Sequence, residues 1–124
     1  MSKKYKLTKS KKGFCDITFY QIEALKDFSD VKKGDKGGWI EKEENLSHEG
    51  DCWVYNKAHV FRNAKVFENA KILDEALVLD NAWIFGNAEV KDDVWVFNDA
   101  KIGGTQKVFK ETINGSQYMR VTAK

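Results

Sequence analysis

With 124 residues, 42% of them apolar and 32% charged, the chain has room for one domain and the composition of an ordered globular one. No uncharged apolar run approaches the roughly 20 residues a membrane-spanning helix needs. The start MSKKYKLTKSKKGF lacks the apolar stretch of a secretory signal. Cys15 and Cys52 are too few for a disulfide framework, so a reducing, cytoplasmic setting is expected.

The net charge of +2 hides a polarised layout: residues 1–36 carry +5, residues 37–107 carry −5 and residues 108–124 carry +2. A Lys-rich arm on an acidic body could meet an acidic partner, but it lacks the interleaved Arg and the motifs of a nucleic-acid binder, and reads as a solvated terminus. Next, Ile17–Leu25 is apolar and β-leaning, although Ile22, Leu25 and Phe28 would also suit a short helix. Lys33-Gly34-Asp35-Lys36-Gly37-Gly38 is a turn leading into Trp39-Ile40.

From Val54 the chain reads VYNKAH, VFRNAK, VFENAK, ILDEAL, VLDNAW, IFGNAE, VKDDVW, VFNDAK, eight hexads over residues 54–101 without an insertion. Position one is always Val or Ile, and position five is Ala in seven of eight, with Val94 the exception. Cys52 shares the Ala phase, and Ile40 and Leu46 extend that phase backwards. A period of six fits neither a 3.6-residue helix nor an alternating hairpin strand. It fits a short strand followed by a corner, three times per turn. The β-branched residue then points inward, the Ala fills the crowded inside of the corner, and Asn, Asp and Gly at positions three and four accept left-handed backbone. The expected fold is all-β: a left-handed parallel β-helix of about three coils. Residues 1–124 form a single domain, with 1–39 as an N-terminal cap, 40–102 as the repeat and 103–124 as a C-terminal β-hairpin. In that hairpin Lys107–Ile113 and Gln117–Thr122 flank Asn114-Gly115.

The segment VKKGDKGGWIEKEENLSHEGDCWVYNKAHVFRNA resembles short hexapeptide-repeat proteins encoded by bacteriophages and prophages, which share a lead-in of the form GD–GGWI–NLS–G–CWVY. The resemblance covers about residues 17–102. It implies the same β-helix, a phage-associated origin and a place in the host bacterial cytoplasm, and it transfers no catalytic residue. By association it raises antagonism of a host defence, an anti-CRISPR role included.

Stacking every 18 residues gives three outward faces. Trp53 and Tyr55 begin one; Phe67, Trp83 and Phe85 lie on another. The third shows His59, Phe61, Leu77, Leu79, Trp95 and Phe97, an apolar patch on the order of several hundred Å² if left in water. Its cover could be the chain's own terminal segment, a second copy or another protein. An acidic rim of Glu41, Glu43, Glu44, Glu49 and Asp51 adds a surface suited to a basic groove. The functional expectation is a non-enzymatic binding module that occludes a host protein of unknown identity, or a homo-oligomer, with neither nucleic acid nor membrane as partner; the alternatives are a self-assembling structural protein and, behind it, a minimal hexapeptide-repeat acyltransferase.

Enzyme chemistry has little to stand on. Hexapeptide-repeat β-helices are best known as acyltransferases using a His base, and only His48 and His59 are available. His48 falls at the inward phase of an irregular first hexad, and His59 in the apolar wall. A zinc site would have to recruit His48, Cys52 and His59, with Cys52 at a buried corner. No phosphate-loop, dinucleotide, HExxH or GxSxG pattern occurs. No cofactor, metal or catalytic residue is called for.

Overall fold

Each hexad folds as a two-residue strand and a corner. The computed structural model describes residues 3–14, 16–109 and 112–114. Its strands are β1 (Tyr5–Phe14), β2 (Ile17–Ala24), β3 (Lys36–Ile40), β4 (Trp53–Val54), β5 (His59–Val60), β6 (Lys65–Val66) and β7 (Lys71–Ile72). They continue as β8 (Leu77–Val78), β9 (Trp83–Ile84), β10 (Glu89–Val90), β11 (Trp95–Phe97), β12 (Lys101–Ile102), β13 (Lys107–Val108) and β14 (Thr112–Asn114). Three parallel ladders, β4-β7-β10-β13, β6-β9-β12 and β3-β5-β8-β11-β14, form the sides of a triangular prism of about four turns. This is the left-handed parallel β-helix expected.

The corner has one recurring geometry. Position three is left-handed in nine consecutive hexads, at Asn56, Arg62, Glu68, Asp74, Asp80, Gly86, Asp92, Asn98 and Gly104. The carbonyl of position two accepts from the N–H of position five, as in Tyr55 to Ala58 (3.0 Å) and Leu73 to Ala76 (3.2 Å). The left-handed residue's own N–H then points along the stack. It is met by the side chain 18 residues earlier: Glu68 accepts from Gly86 (2.8 Å), Asp74 from Asp92 (3.1 Å) and Asp80 from Asn98 (3.0 Å). Acidic side chains therefore recur at position three because they tolerate αL backbone and bind the next coil. Inside, columns such as Val54-Ile72-Val90-Val108 and the position-five Ala residues are fully buried. Each buried Val or Ile contributes about 1.5–3 kcal/mol of apolar burial.

Three expectations need correction. Ile40 and Leu46 do not share the Ala phase: Ile40 pairs with Val60 and Leu46 with Val66, each 20 residues on. Cys52 does sit beneath Ala70, so the corner 47–51 carries two extra residues, and His48 lies in that loop rather than at an inward strand position. Trp53 is buried, packed edge-on to Tyr5 (6.2 Å) and Phe28 (5.2 Å) under the cap. Beyond Ile102, Lys107–Val108 and Thr112–Asn114 pair parallel with β10 and β11 and extend the coil beyond three turns. N–H groups of the preceding coil find partners there, as in Glu89 to Gln106 (2.9 Å) and Lys91 to Val108 (3.0 Å). Gly115 and the return arm Gln117–Thr122 lie outside the described residues, as does Cys15.

The N-terminal arm is a strand, not a solvated tail. β1 pairs antiparallel with β2, and β2 pairs antiparallel with β3, so the hairpin continues one wall of the prism. β3 closes the end of the first coil. A side chain at Gly37 would meet the Val54 carbonyl at 2.6 Å, and one at Gly38 the Ala58 carbonyl at 2.6 Å. The first corner lacks a small fifth residue and is built by a 3₁₀ turn, Glu43–Asn45. The buried Asn45 amide accepts from the N–H groups of Glu41 and Lys42 and donates to the carbonyls of Arg62 and Ala64.

Gly37→Ala is expected to destabilise the chain by about 1–3 kcal/mol through overpacking. Asp74→Ala should cost about 1–2 kcal/mol, since it loses a ladder bond and puts Ala in αL backbone. Urea unfolding followed by circular dichroism checks both; unchanged midpoints would refute the account of cap and corner.

Candidate functional site

The apolar face predicted from the repeat is half covered by the chain itself. The tip of the β1–β2 hairpin runs past the end of β3 and lays Ile17 and Phe19 beside Phe61, with Trp39, Leu77 and Leu79 partly buried against them. Phe19 (3% exposed) stands edge-on to Phe61 at 5.0 Å and to His59 at 4.9 Å. Further along the same face the cover ends. Phe97 is half-buried, and Trp95 is 51% exposed. The six residues therefore do not form one free surface.

His59 sits where cover gives way to opening. Its ring is stacked on Trp39 at 6.3 Å, and Lys12 lies over the Trp39 ring at 4.4 Å. His59 Nδ1 is 2.8 Å from the Lys57 carbonyl, which can only accept, so Nδ1 carries the proton and Nε2 keeps its lone pair in the neutral ring. Burial holds the imidazole below its ordinary value of 6.5, and nearby Lys12 adds to this, against the Lys57 carbonyl. A cleft of about 260 Å³ opens here, lined by Lys12, Gly13, Phe19, His59, Phe61 and Leu77.

His48 is used differently. It stacks on Tyr5 at 4.1 Å, its Nδ1 accepts from the Lys4 N–H (3.2 Å), and its Nε2 donates to Glu43 (2.9 Å). With the lone pair occupied it has no base to offer. The Glu43 carboxyl, bonded by His48 and by Lys3, is held below the usual carboxylate range. Within the acidic rim, Glu41 accepts from the Arg62 N–H (2.7 Å), so Glu41 and Glu43 serve the fold. Glu44, Glu49 and Asp51 are exposed. Among the described residues no group of three His, Cys, Asp or Glu is placed to hold a metal ion, and His48 and Cys52 lie under the cap, away from His59 on the prism wall. Sequence reading treated the Lys-rich arm as solvent-facing, and so missed Lys12 and Phe19 as neighbours of His59. The signal for them was weak: the alternation Ile17, Phe19 beside a turn.

A triangular parallel β-helix with a six-residue period, carrying a neutral histidine in a wall cleft, fits a hexapeptide-repeat family. Consistent with this, the chain is similar to a protein of Escherichia coli (strain K12) named uncharacterized acetyltransferase YdcK, 35% identical over 66 residues. The match takes in 47% of this chain and 20% of that protein, so the chain spans about a fifth of the relative's length. No family model matches. The similarity overturns the expectation of a phage-associated binding module that antagonises a host defence: the relative is a bacterial protein named for acetyl transfer. Likewise it points towards an enzyme where none was expected. No helix among the described residues is long and apolar enough to cross a membrane.

Since the folded chain holds the His59 proton less tightly than the unfolded chain, stability is full above 6.5 and is lost as pH falls through 6.5 towards the lowered folded value. The difference in unfolding midpoint between wild type and His59→Gln should therefore shrink, or turn in favour of the variant, from about pH 7.5 to about pH 5. An imidazole titrating at or above 6.5 by NMR would contradict this.

Proposed function

We propose that the chain is an acyl-transfer module in which His59 is the general base. One observation carries the reading: a neutral imidazole, fixed through Nδ1 on the Lys57 carbonyl, lines a cleft with its second nitrogen unpartnered among the described residues. The name of the Escherichia coli relative supports the same class of reaction.

In this reading a hydroxyl or amine acceptor enters the cleft. Nε2 takes its proton as the acceptor attacks the carbonyl of an acyl thioester; the new C–O or C–N bond forms, the C–S bond breaks, and the thiolate leaves with that proton. The Lys57 carbonyl stabilises the imidazolium formed on the way, and Trp39 and Phe19 hold the ring plane. Lys12 opposes a permanent charge on His59, which keeps the base unprotonated near neutral pH.

Release of thiol from an acetyl thioester, in the presence of a panel of small amines and alcohols, tests this directly. His59→Gln is expected to lower the rate by about 10²–10⁴-fold with the fold intact. Equal rates in wild type and variant, or no thiol release with any acceptor, would reject the reading.

A second reading, self-association, is favoured by Trp95 and Phe109, each 51% exposed, and by Trp83 at 39%. Trp95→Asp should then lower the mass measured by analytical ultracentrifugation, without moving the unfolding midpoint of the monomer. Leu79→Asp is a poorer probe, because Leu79 packs on the Phe61 cluster. A wild-type chain that sediments as a monomer would end this reading.

A further inference from the structure

The least expected side chain in the fold is Lys4. An ammonium group is rarely fully buried, yet Lys4 has no exposed surface and closes the N-terminal end of the prism. Its Nζ donates to the carbonyls of Cys52 (2.7 Å) and Gly50 (3.1 Å), lies 4.9 Å from the Phe28 ring centre, and is 3.4 Å from Cys52 Sγ. The thiol is itself buried, with the carbonyls of Ser47, Val66 and Glu49 at 3.5, 3.7 and 3.8 Å. An amine and a thiol thus face each other at hydrogen-bonding distance, both buried, and acyl transfer at His59 uses neither.

We infer that Lys4 and Cys52 are a modification site at which a peroxide joins Nζ to Sγ through a sulfenamide bond. Sulfur attacks one peroxide oxygen; the O–O bond breaks, and the second oxygen leaves as water with the thiol proton, giving a sulfenic acid. The amine lone pair then attacks sulfur, the S–O bond breaks, and hydroxyl leaves as water with one amine proton. One peroxide is reduced to two waters, and the Lys–Cys pair loses two hydrogens. Thiols return the pair to amine and thiol by exchange at sulfur.

Burial supports the second step. Desolvation lowers the Lys4 ammonium from its ordinary value and so favours the nucleophilic amine. Desolvation also raises the Cys52 thiol above its ordinary value, and Lys4 opposes that rise without cancelling it. The oxidant's route is short: a surface cleft of about 510 Å³ is lined by Phe28, His48 and Gly50, and both Phe28 and Gly50 touch Nζ. Once linked, residues 48 positions apart in the sequence are tied, and the end of the solenoid is closed covalently.

The test treats the full chain carrying Cys15→Ser, which removes disulfide formation with Cys15, with hydrogen peroxide, and digests it without reductant. Mass spectrometry is expected to find a peptide linking Lys4 to Cys52 that lacks two hydrogens relative to its parts and disappears on dithiothreitol treatment. The oxidised chain should also unfold at a higher temperature than the reduced one, because the closed loop restricts the unfolded state. Lys4→Met, checked for folding by circular dichroism, should give no linked peptide. A Cys52 that stays a thiol, that carries oxygen without a link, or whose link retains oxygen would overturn the inference; the wild-type result decides even if Lys4→Met fails to fold.

Discussion

The structure depends on one constraint: whatever stands at a given point of the prism must tolerate its own kind 18 residues above and below. That is why the corner turns on a single left-handed residue. Each non-Gly residue there costs about 1–2 kcal/mol relative to ordinary backbone. The cost is offset twice, by the bond from position five back to position two and by the side chain of the coil before. Ala at position five follows from the same stacking, because its neighbours in the column stand at strand spacing and leave no room for a longer side chain. Among the described residues no buried side-chain nitrogen or oxygen is left without a partner.

A stack of this kind cannot end by itself, since its last coil presents open strand edges and an apolar interior. At the N-terminal end the solution is a sheet turned on itself, with β1 and β2 running antiparallel beyond β3. Tyr5, Ile22, Val31 and Trp53 fill the mouth of the prism, and Lys4 satisfies the carbonyls of Gly50, in the enlarged corner 47–51, and of Cys52 just after it. The same hairpin is longer than the wall it extends. Its surplus length folds over the prism face and creates the cleft beside His59. Cap and site are thus parts of one device.

The two histidines show how little the residue type decides. Both are half-buried, and both touch aromatic rings. His48 spends its lone pair on a backbone N–H and its proton on Glu43, so it is a structural tie. His59 spends its proton on a carbonyl, and its second nitrogen has no partner among the described residues. Of the covers the sequence left open for the wall around His59, the hairpin supplies one over Phe61, Leu77 and Leu79, and Trp95 stays exposed.

The repeat by itself determined the prism: the β-branched column, the Ala corner and the left-handed turn residues are local choices repeated at a fixed period, and periodicity is visible in one dimension. It also carried Cys52 into its buried corner and the exposure of Trp95. It could not reveal that Ile40 and Leu46 stand in the strand phase, because two extra residues in the loop 47–51 break the count. Nor did it reveal the strand in the Lys-rich arm, where alternation is masked by lysines at both phases of the strand. The pairing of Lys4 with Cys52, the cover of Phe61 by Phe19 and the placing of Phe19 against His59 were decided only by the tertiary structure. Each joins segments 40 or more residues apart, and such contacts are set by how the end of the solenoid is closed, not by any pattern within either segment.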